Sequence, residues 1–325
     1  MTVLVTGASG HIGANLTREL IKQNRSVRAL IHKDKRGVEG LDIDVVHGDI
    51  LDYPSLSEAV KGCDTVYHLA ASISIVGFKS KHLRKINLTG TQNVIKACQR
   101  ARVRRLIHFN SIYAYSPDPC DQPVDETRPF QDFGSHSYDC SKAEGTQEVL
   151  NAVKKGLDAV VITPTAVIGP NDFKFSRMGK VLVKMAKRKF IALVKGGYNW
   201  VDVRDVVKGS LLAEKKAAPG SQFILSGHWC SVRRLAEIVE EVKGVKPPRF
   251  TAPLWLARFA APFSEAAALL RKKTPLLSSE ALTALKSHRF ISRRKAKNEL
   301  DYHPRPLKET ISDTLYWFEE KGMLD

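Results

Sequence analysis

Residues 2–13 read Thr2-Val3-Leu4-Val5-Thr6-Gly7-Ala8-Ser9-Gly10-His11-Ile12-Gly13, and this stretch decides the fold. A short apolar run ends at a glycine. Ile12, Leu16, Leu20 and Ile21 then recur at helical spacing. Three glycines spaced by three sit between the strand and the helix. Gly7 suits a tight turn, Gly10 lets the backbone approach a pyrophosphate, and Gly13 lets the helix pack close to the sheet. The start of the helix offers unpaired N–H groups to phosphate, which adds Ser9, His11 and Ile12 to the candidate cofactor contacts. A glycine-rich turn without a ligand is the plain alternative. The placement after a strand and inside a β-α-β frame favours dinucleotide binding.

The same alternation continues outward. Ser26 to Ile31, Ile43 to Val46, Thr65 to Leu69, Arg105 to Phe109 and Ala159 to Thr163 read as strands. Pro54 to Val60, Leu83 to Ala101 and Tyr138 to Val153 read as helices between them. Continuous apolar strands separated by helices predict a parallel sheet covered on both faces. After about residue 230 the pattern is mostly helical and broken by prolines. The expected architecture is α/β: a Rossmann-like doubly wound parallel sheet with a smaller, mostly helical C-terminal lobe. Its expected division is 1–170 with 197–225 for the dinucleotide, and 171–196 with 226–325 for the substrate.

Composition narrows the classes. The chain has 325 residues, 43% hydrophobic and 26% charged, which excludes a disordered chain and a small disulfide scaffold. Cys63, Cys98, Cys120, Cys140 and Cys230 are scattered without a CxxC pair, so neither a metal site nor a disulfide framework is expected. Reduced thiols, no signal peptide and a cytoplasmic location are the expectation. The net charge is +17, a sign that suits polyanions, anionic membranes or anionic ligands. Lys and Arg are spread out, with no zinc-finger, RNP or basic-zipper pattern, so a solvated basic surface is preferred to a specific nucleic-acid site.

The end of the second strand bears on the cofactor. An acid there would bond a ribose 2′-hydroxyl, whereas cations suit a 2′-phosphate. The residues are His32-Lys33-Asp34-Lys35-Arg36. His32 and Lys33 come first and the acid is flanked by cations, which favours NADP over NAD.

Tyr138-Asp139-Cys140-Ser141-Lys142 puts a phenol and an ammonium on one helix face. A nearby ammonium favours the phenolate, and a phenol so tuned can exchange a proton with a carbonyl oxygen. Ser111 follows the fifth strand, at the sheet end where cofactors lie. A surface Tyr–Lys pair and a capping serine are the bland alternatives.

Together these pieces resemble the extended short-chain dehydrogenase/reductases. The matching segments are TGASGHIG (6–13), GDILD (48–52), DTVYHLAA (64–71), INLTGTQNV (86–94), HFNSIYAY (108–115), YDCSK (138–142), TPTAVIGP (163–170) and NWVDVRDVV (199–207). The resemblance implies Ser111, Tyr138 and Lys142 as the catalytic triad, with Tyr138 and Lys142 also touching the cofactor. It implies Asp49 and Ile50 beside adenine, Leu69, Ala70 and Ala71 lining the cofactor, and Asn87 near it. Ile112 stands where a second serine is frequent, and Thr163 where an arginine often precedes the proline.

The segment 163–170 chooses a branch. Nucleotide-sugar epimerases tend to carry an asparagine where this chain has Ala166. Pro164-Thr165-Ala166 instead resembles the dihydroflavonol reductase and 3β-hydroxysteroid dehydrogenase branch, which implies Pro164 and Val167 beside the nicotinamide. Sugar-nucleotide dehydratases usually place an acidic pair where Ile112-Tyr113 stands. The leading expectation is an NAD(P)(H)-dependent reductase of a ketone or aldehyde. A nucleotide-sugar epimerase holding NAD and a non-catalytic dinucleotide sensor remain as alternatives. Leu254, Trp255, Leu256, Phe259, Phe263, Leu269 and Leu270 suggest an apolar or aromatic substrate, although packing of the lobe explains most of them. A membrane-surface helix followed by Arg271-Lys272-Lys273 is placed below these readings, because Pro262 is expected to interrupt it. The helices at 83–101 and 138–153 could pair two copies into a dimer, as in relatives.

Overall fold

The computed structural model describes residues 1–73, 80–131, 138–270, 282, 285 and 290–324. Strands β1 (Thr2–Thr6), β2 (Ser26–Ile31), β3 (Asp44–His47), β4 (Thr65–His68), β5 (Arg105–Phe109) and β6 (Ala159–Pro164) form one parallel sheet. Two-residue periodicity makes it doubly wound. Val3 and Val5 face a core shared with Leu16, Leu20, Ile107 and Ile162. Leu4 faces the opposite core with Leu56, Val66, Val94 and Val149. Helices α1 (His11–Lys22), α2 (Tyr53–Val60), α3 (Ser80–Arg84), α4 (Gly90–Arg100) and α5 (Tyr138–Val153) follow in chain order. A seventh strand comes from farther along the chain. The order across the sheet places Gln222–Leu225 beside β6, then β5, β4, β1, β2 and β3. The chain winds outward from β1 to β3 and then crosses to β4. The β1/β4 junction is therefore the switch point at which such sheets bind ligands.

The second half is more sheet-rich than its pattern predicts. β7 (Ala166–Ile168), β8 (Leu193–Val194), β9 (Gly197–Asp202), β10 (Gln222–Leu225), β11 (His228–Ser231) and β12 (Thr251–Ala252) alternate with α6 (Arg177–Ala186), α7 (Val203–Lys216) and α8 (Val232–Lys243). β7, β9 and β11 make a small sheet, and β8 pairs with β12. Apart from β9 these strands have two to four residues, and most lack a distinct apolar run bounded by turn residues for periodicity to declare. β9 links two cores: Val201 packs into the main one, Tyr198 and Trp200 into a second core with Leu182, Leu235 and Leu315. The last elements are α9 (Leu254–Leu270) and the helices Arg294–Leu300 and Leu307–Glu320.

Two local expectations need correction. The stretch read as one helix over 83–101 is interrupted by a π-helical turn, Lys85–Thr89, between α3 and α4. Asn87 lies in that turn, and its side chain bonds outside the helix. And α9 runs through Pro262 without ending, although a proline removes one helical N–H and crowds the carbonyl four residues back. The side chains of Leu269 and Leu270, and Arg271-Lys272-Lys273, lie outside the described residues. No described helix is long and apolar enough to cross a membrane.

Candidate functional site

The glycine turn is shaped by backbone contacts. Gly7 has φ +72°, and a Cβ there would lie 2.7–2.9 Å from the Leu69–Ala70 backbone. At Gly13 a Cβ would run into the Gly7 carbonyl and lie 2.8 Å from Ala8 Cα. Gly10 is the N-cap of α1 and provides no side chain to cap it. The first-turn N–H groups and the local helix dipole thus face the mouth of the β1/β4 crevice, which fits a pyrophosphate. Gly37 closes the turn from behind, because a Cβ there would sit 2.8 Å from Ser9. Sequence reasoning passed over Gly37. His11 has a structural side chain, with Nε2 at 3.1 and 3.0 Å from the Gly169 and Pro170 carbonyls. Only the backbone of His11 remains for phosphate.

The adenosine end contains charge pairs. Arg36 donates to both Asp34 oxygens, from Nε at 3.0 Å and Nη2 at 2.8 Å. These bonds, ahead of the charge of Lys174, hold the Asp34 carboxyl at about 2. Asp34 is therefore an ionised but neutralised acid. His32 Nε2 lies 3.6 Å from Asp49 Oδ2, and Asp49 Oδ1 accepts from the Leu51 N–H at 2.9 Å. Lys33 is exposed. Ile50 is buried against the open side of Gly90. Leu69 and Ala70 line the crevice beside the turn, Ala71 is exposed, Pro164 ends β6 and is buried, and Val167 packs on the main core.

Ser111 and Tyr138 lie close enough for the serine hydroxyl to bear on the phenol. Ser111 is buried just beyond β5, and its Oγ also accepts from the Tyr113 N–H at 3.3 Å. Tyr138 opens α5. Burial pushes its phenol up to about 12, against the hydrogen bond to Ser111, which lowers it. Lys142 lies one turn on and is buried, with Nζ donating to the Phe109 carbonyl at 2.6 Å. Burial lowers its ammonium to about 8. The phenol is shifted by burial, Ser111 and Asp139, so the expected lowering by Lys142 does not appear in the protein alone. Asp139, next to the tyrosine, is pushed up to about 6 by burial.

A buried polar network that the sequence reading did not include surrounds the lysine. His68 and His108 are opposite one another in the β4–β5 register, with ring centroids 5.5 Å apart. His68 Nδ1 is 2.9 Å from Thr6 Oγ1 and Nε2 is 3.1 Å from Thr91 Oγ1. Thr91 gives its only hydroxyl proton to the Asn87 carbonyl at 2.7 Å. It must therefore accept from Nε2–H, which leaves Nδ1 to accept from Thr6. Asn87 Nδ2 donates to the Ser72 carbonyl and to Ser141 Oγ, and its Oδ1 accepts from the Ser72 N–H. Asn87 is thus a bracket between the exit of β4, the π turn and α5, with both amide N–H groups engaged. Asn110 has the opposite character. It is buried between Phe109 and Ser111, and neither amide atom has a partner among the described residues.

This network predicts acid lability. Burial, then the charge of Lys142, lowers the His68 imidazole to about 3, and His108 falls well below its usual value for the same reasons. The neutral rings favour the native state above the unfolded histidine value, and that advantage is lost as pH falls below about 6.5. Through His68 alone, stability should drop by about 2 kcal/mol between pH 6.5 and 5. Urea unfolding of the parent and of His68→Gln at pH 7 and pH 5 checks this: the variant should lose less by about that amount. Equal losses would mean the ring does not titrate as its surroundings require.

Comparison with known proteins agrees with this geometry. The NAD dependent epimerase/dehydratase family model matches residues 3–225. Sterol demethylase protein B of Methylococcus capsulatus is 31% identical over 330 aligned residues, covering 100% of both chains. A putative dihydroflavonol 4-reductase of Synechocystis is 30% identical, covering 98% of this chain and 94% of its own. The crystal structure of gox2253 superposes with a TM-score of 0.85 at 31% identity, over 100% of this chain and 99% of that one. With its glycine turn at the switch point of a seven-stranded parallel sheet, the chain belongs to the NAD dependent epimerase/dehydratase family and is an enzyme of the extended short-chain dehydrogenase/reductase type.

Proposed function

We propose that the protein reduces a ketone or aldehyde, or oxidises the corresponding alcohol, with NADP(H) preferred to NAD(H). The observation that carries the proposal is the convergence of Ser111, buried just beyond β5, with Tyr138 and, one helical turn on, the buried Lys142 held on the Phe109 carbonyl. When bound, the nicotinamide supplies or accepts the hydride, and its oxidised form adds positive charge. Ser111 Oγ orients the substrate oxygen. Tyr138 Oη gives that oxygen a proton as the carbon is reduced, and takes it back in the reverse direction. Lys142, held on the Phe109 carbonyl, keeps a positive charge beneath the site and is placed to anchor the ribose. The names of the relatives, a sterol protein and a dihydroflavonol reductase, support a bulky apolar or aromatic substrate. The division into a cofactor part and a substrate part follows the two cores joined by β9, and pairing of two copies through α4 and α5 belongs to the same proposal.

NADPH oxidation followed over ketones, aldehydes, flavonoid-like and steroid-like carbonyls and acyl-CoA esters tests the activity. Purified protein that carries tightly held NAD and oxidises NADPH with none of them would favour the epimerase alternative. The cofactor preference rests on a neutralised Asp34 beside Lys33 and Lys174. Replacing Lys33 and Lys35 by Ala should weaken NADPH by about tenfold or more and leave NADH within about twofold. Equal loss of both, or a parent enzyme that prefers NADH, would overturn the preference.

A further inference from the structure

Helix α9 is apolar on two opposite faces. Leu254, Ala257 and Ala261 turn inward and pack with Val194. On the other side Trp255, Phe259 and Phe263 recur every four residues and are 70%, 72% and 68% exposed. The Phe259 and Phe263 rings lie 5.8 Å apart, so the stripe is continuous. A globular helix ordinarily puts charge opposite its buried stripe. Between Leu254 and Ser264 the only charged side chain is Arg258.

The neighbouring segment has the same character. β12 pairs with β8 just before α9, and the Leu193 N–H donates to the Phe250 carbonyl at 3.1 Å. This brings Ile191, 98% exposed, and Phe250, 57% exposed, to one end of the patch. In the two chain segments that carry these apolar side chains the charges have one sign. From Lys174 to Val201 the chain contains Lys and Arg but no Asp or Glu, and the same is true from Val242 to Ser264. Lys184, Arg188, Lys189, Lys246, Arg249 and Arg258 are exposed there.

We propose that this corner docks on the surface of an anionic lipid bilayer, with Trp255, Phe259 and Phe263 in the headgroup–acyl boundary and the cations against lipid phosphates. Large rings on one helix face with Lys and Arg beside them are what an interfacial helix needs. Each cation near an anionic surface adds attraction, and the chain's excess positive charge acts in the same direction. A second copy is a poorer occupant. A two-fold contact would place the same cations opposite themselves, with no acid in either segment to answer them. The association is peripheral, since no described helix is long and apolar enough to span.

Co-sedimentation of the full chain with vesicles tests this. Vesicles of phosphatidylcholine with about one-third phosphatidylglycerol should bind the parent at least about tenfold better than phosphatidylcholine alone, with the preference shrinking as salt rises. The combined variant Trp255→Ser, Phe259→Ser, Phe263→Ser should lose binding by about tenfold or more. Its thermal midpoint should stay near that of the parent, because the replaced side chains are exposed. Equal partitioning of parent and variant, or no preference for the anionic vesicles, overturns the proposal. So does concentration-dependent self-association of the parent that the variant abolishes, for that would make a second copy the occupant.

Discussion

Replacing Tyr138 by Phe is expected to cut turnover by about two to four decades while dinucleotide affinity stays within about twofold. The ring is retained, so packing at the start of α5 is unchanged and only the transferable proton and the bond to Ser111 are lost. The protein alone holds this phenol at about 12 because burial outweighs the Ser111 hydrogen bond. A proton held that tightly is a weak acid at neutral pH, so the proposed mechanism needs added positive charge, from Lys142 and the nicotinamide as it becomes oxidised. Lys142→Met should therefore damage turnover and cofactor binding together. Ser111→Ala should cost less than the tyrosine change, since it removes one orienting bond. The measurement is steady-state turnover on a carbonyl found in the screen, beside fluorescence titration of NADPH. Parent-like turnover by Tyr138→Phe would remove the proposed mechanism and leave the family and fold intact.

The other large effect is expected at the turn. Gly7→Ala should destabilise the protein by about 2–5 kcal/mol, combining a left-handed backbone penalty with overpacking. The added methyl meets backbone of Leu69 and Ala70 at 2.7–2.9 Å, and backbone in a parallel strand end cannot rotate away as a side chain could. Relief requires β1 and β4 to separate at the crevice mouth, so NADPH affinity should also fall, by about a hundredfold or more. Thermal unfolding and cofactor titration of the same preparation check the two parts. A variant with the parent's midpoint and affinity would mean that the turn yields more readily than its contacts allow.

The core of the site was legible because its signals are local. A glycine turn and a Tyr-x-x-x-Lys pair are read from residues within one or two turns of each other, and such spacing is set by backbone geometry. The position of Ser111 came from counting strands, which works because parallel strands all end on the same side. The seven-stranded sheet was legible for the same reason, apart from β10, which joins the sheet from far along the chain, outside the first run of alternating strands and helices. The break at Asn87 was not legible. An asparagine inside a helical pattern looks like any other until Ser72 and Ser141, from β4's exit and α5, are brought beside it.

Periodicity states which residues turn inward, but it does not name what they meet. It placed His68 and His108 in strands. Only strand register sets them face to face beside Lys142, where a low dielectric forces both rings to stay neutral. It placed His11 in the phosphate turn. The fold brings the Gly169 and Pro170 carbonyls over its ring and leaves the backbone alone for phosphate. It left Trp255, Phe259 and Phe263 open between lobe packing, a substrate pocket and a membrane-surface helix. The fold assigns the inward face of α9 to Leu254, Ala257 and Ala261 and turns the rings to solvent. Chain order and backbone preference act over a few residues and are written in the sequence directly. Register, burial and the choice of which apolar face is covered arise from contacts between distant segments, and they exist only once the elements have packed.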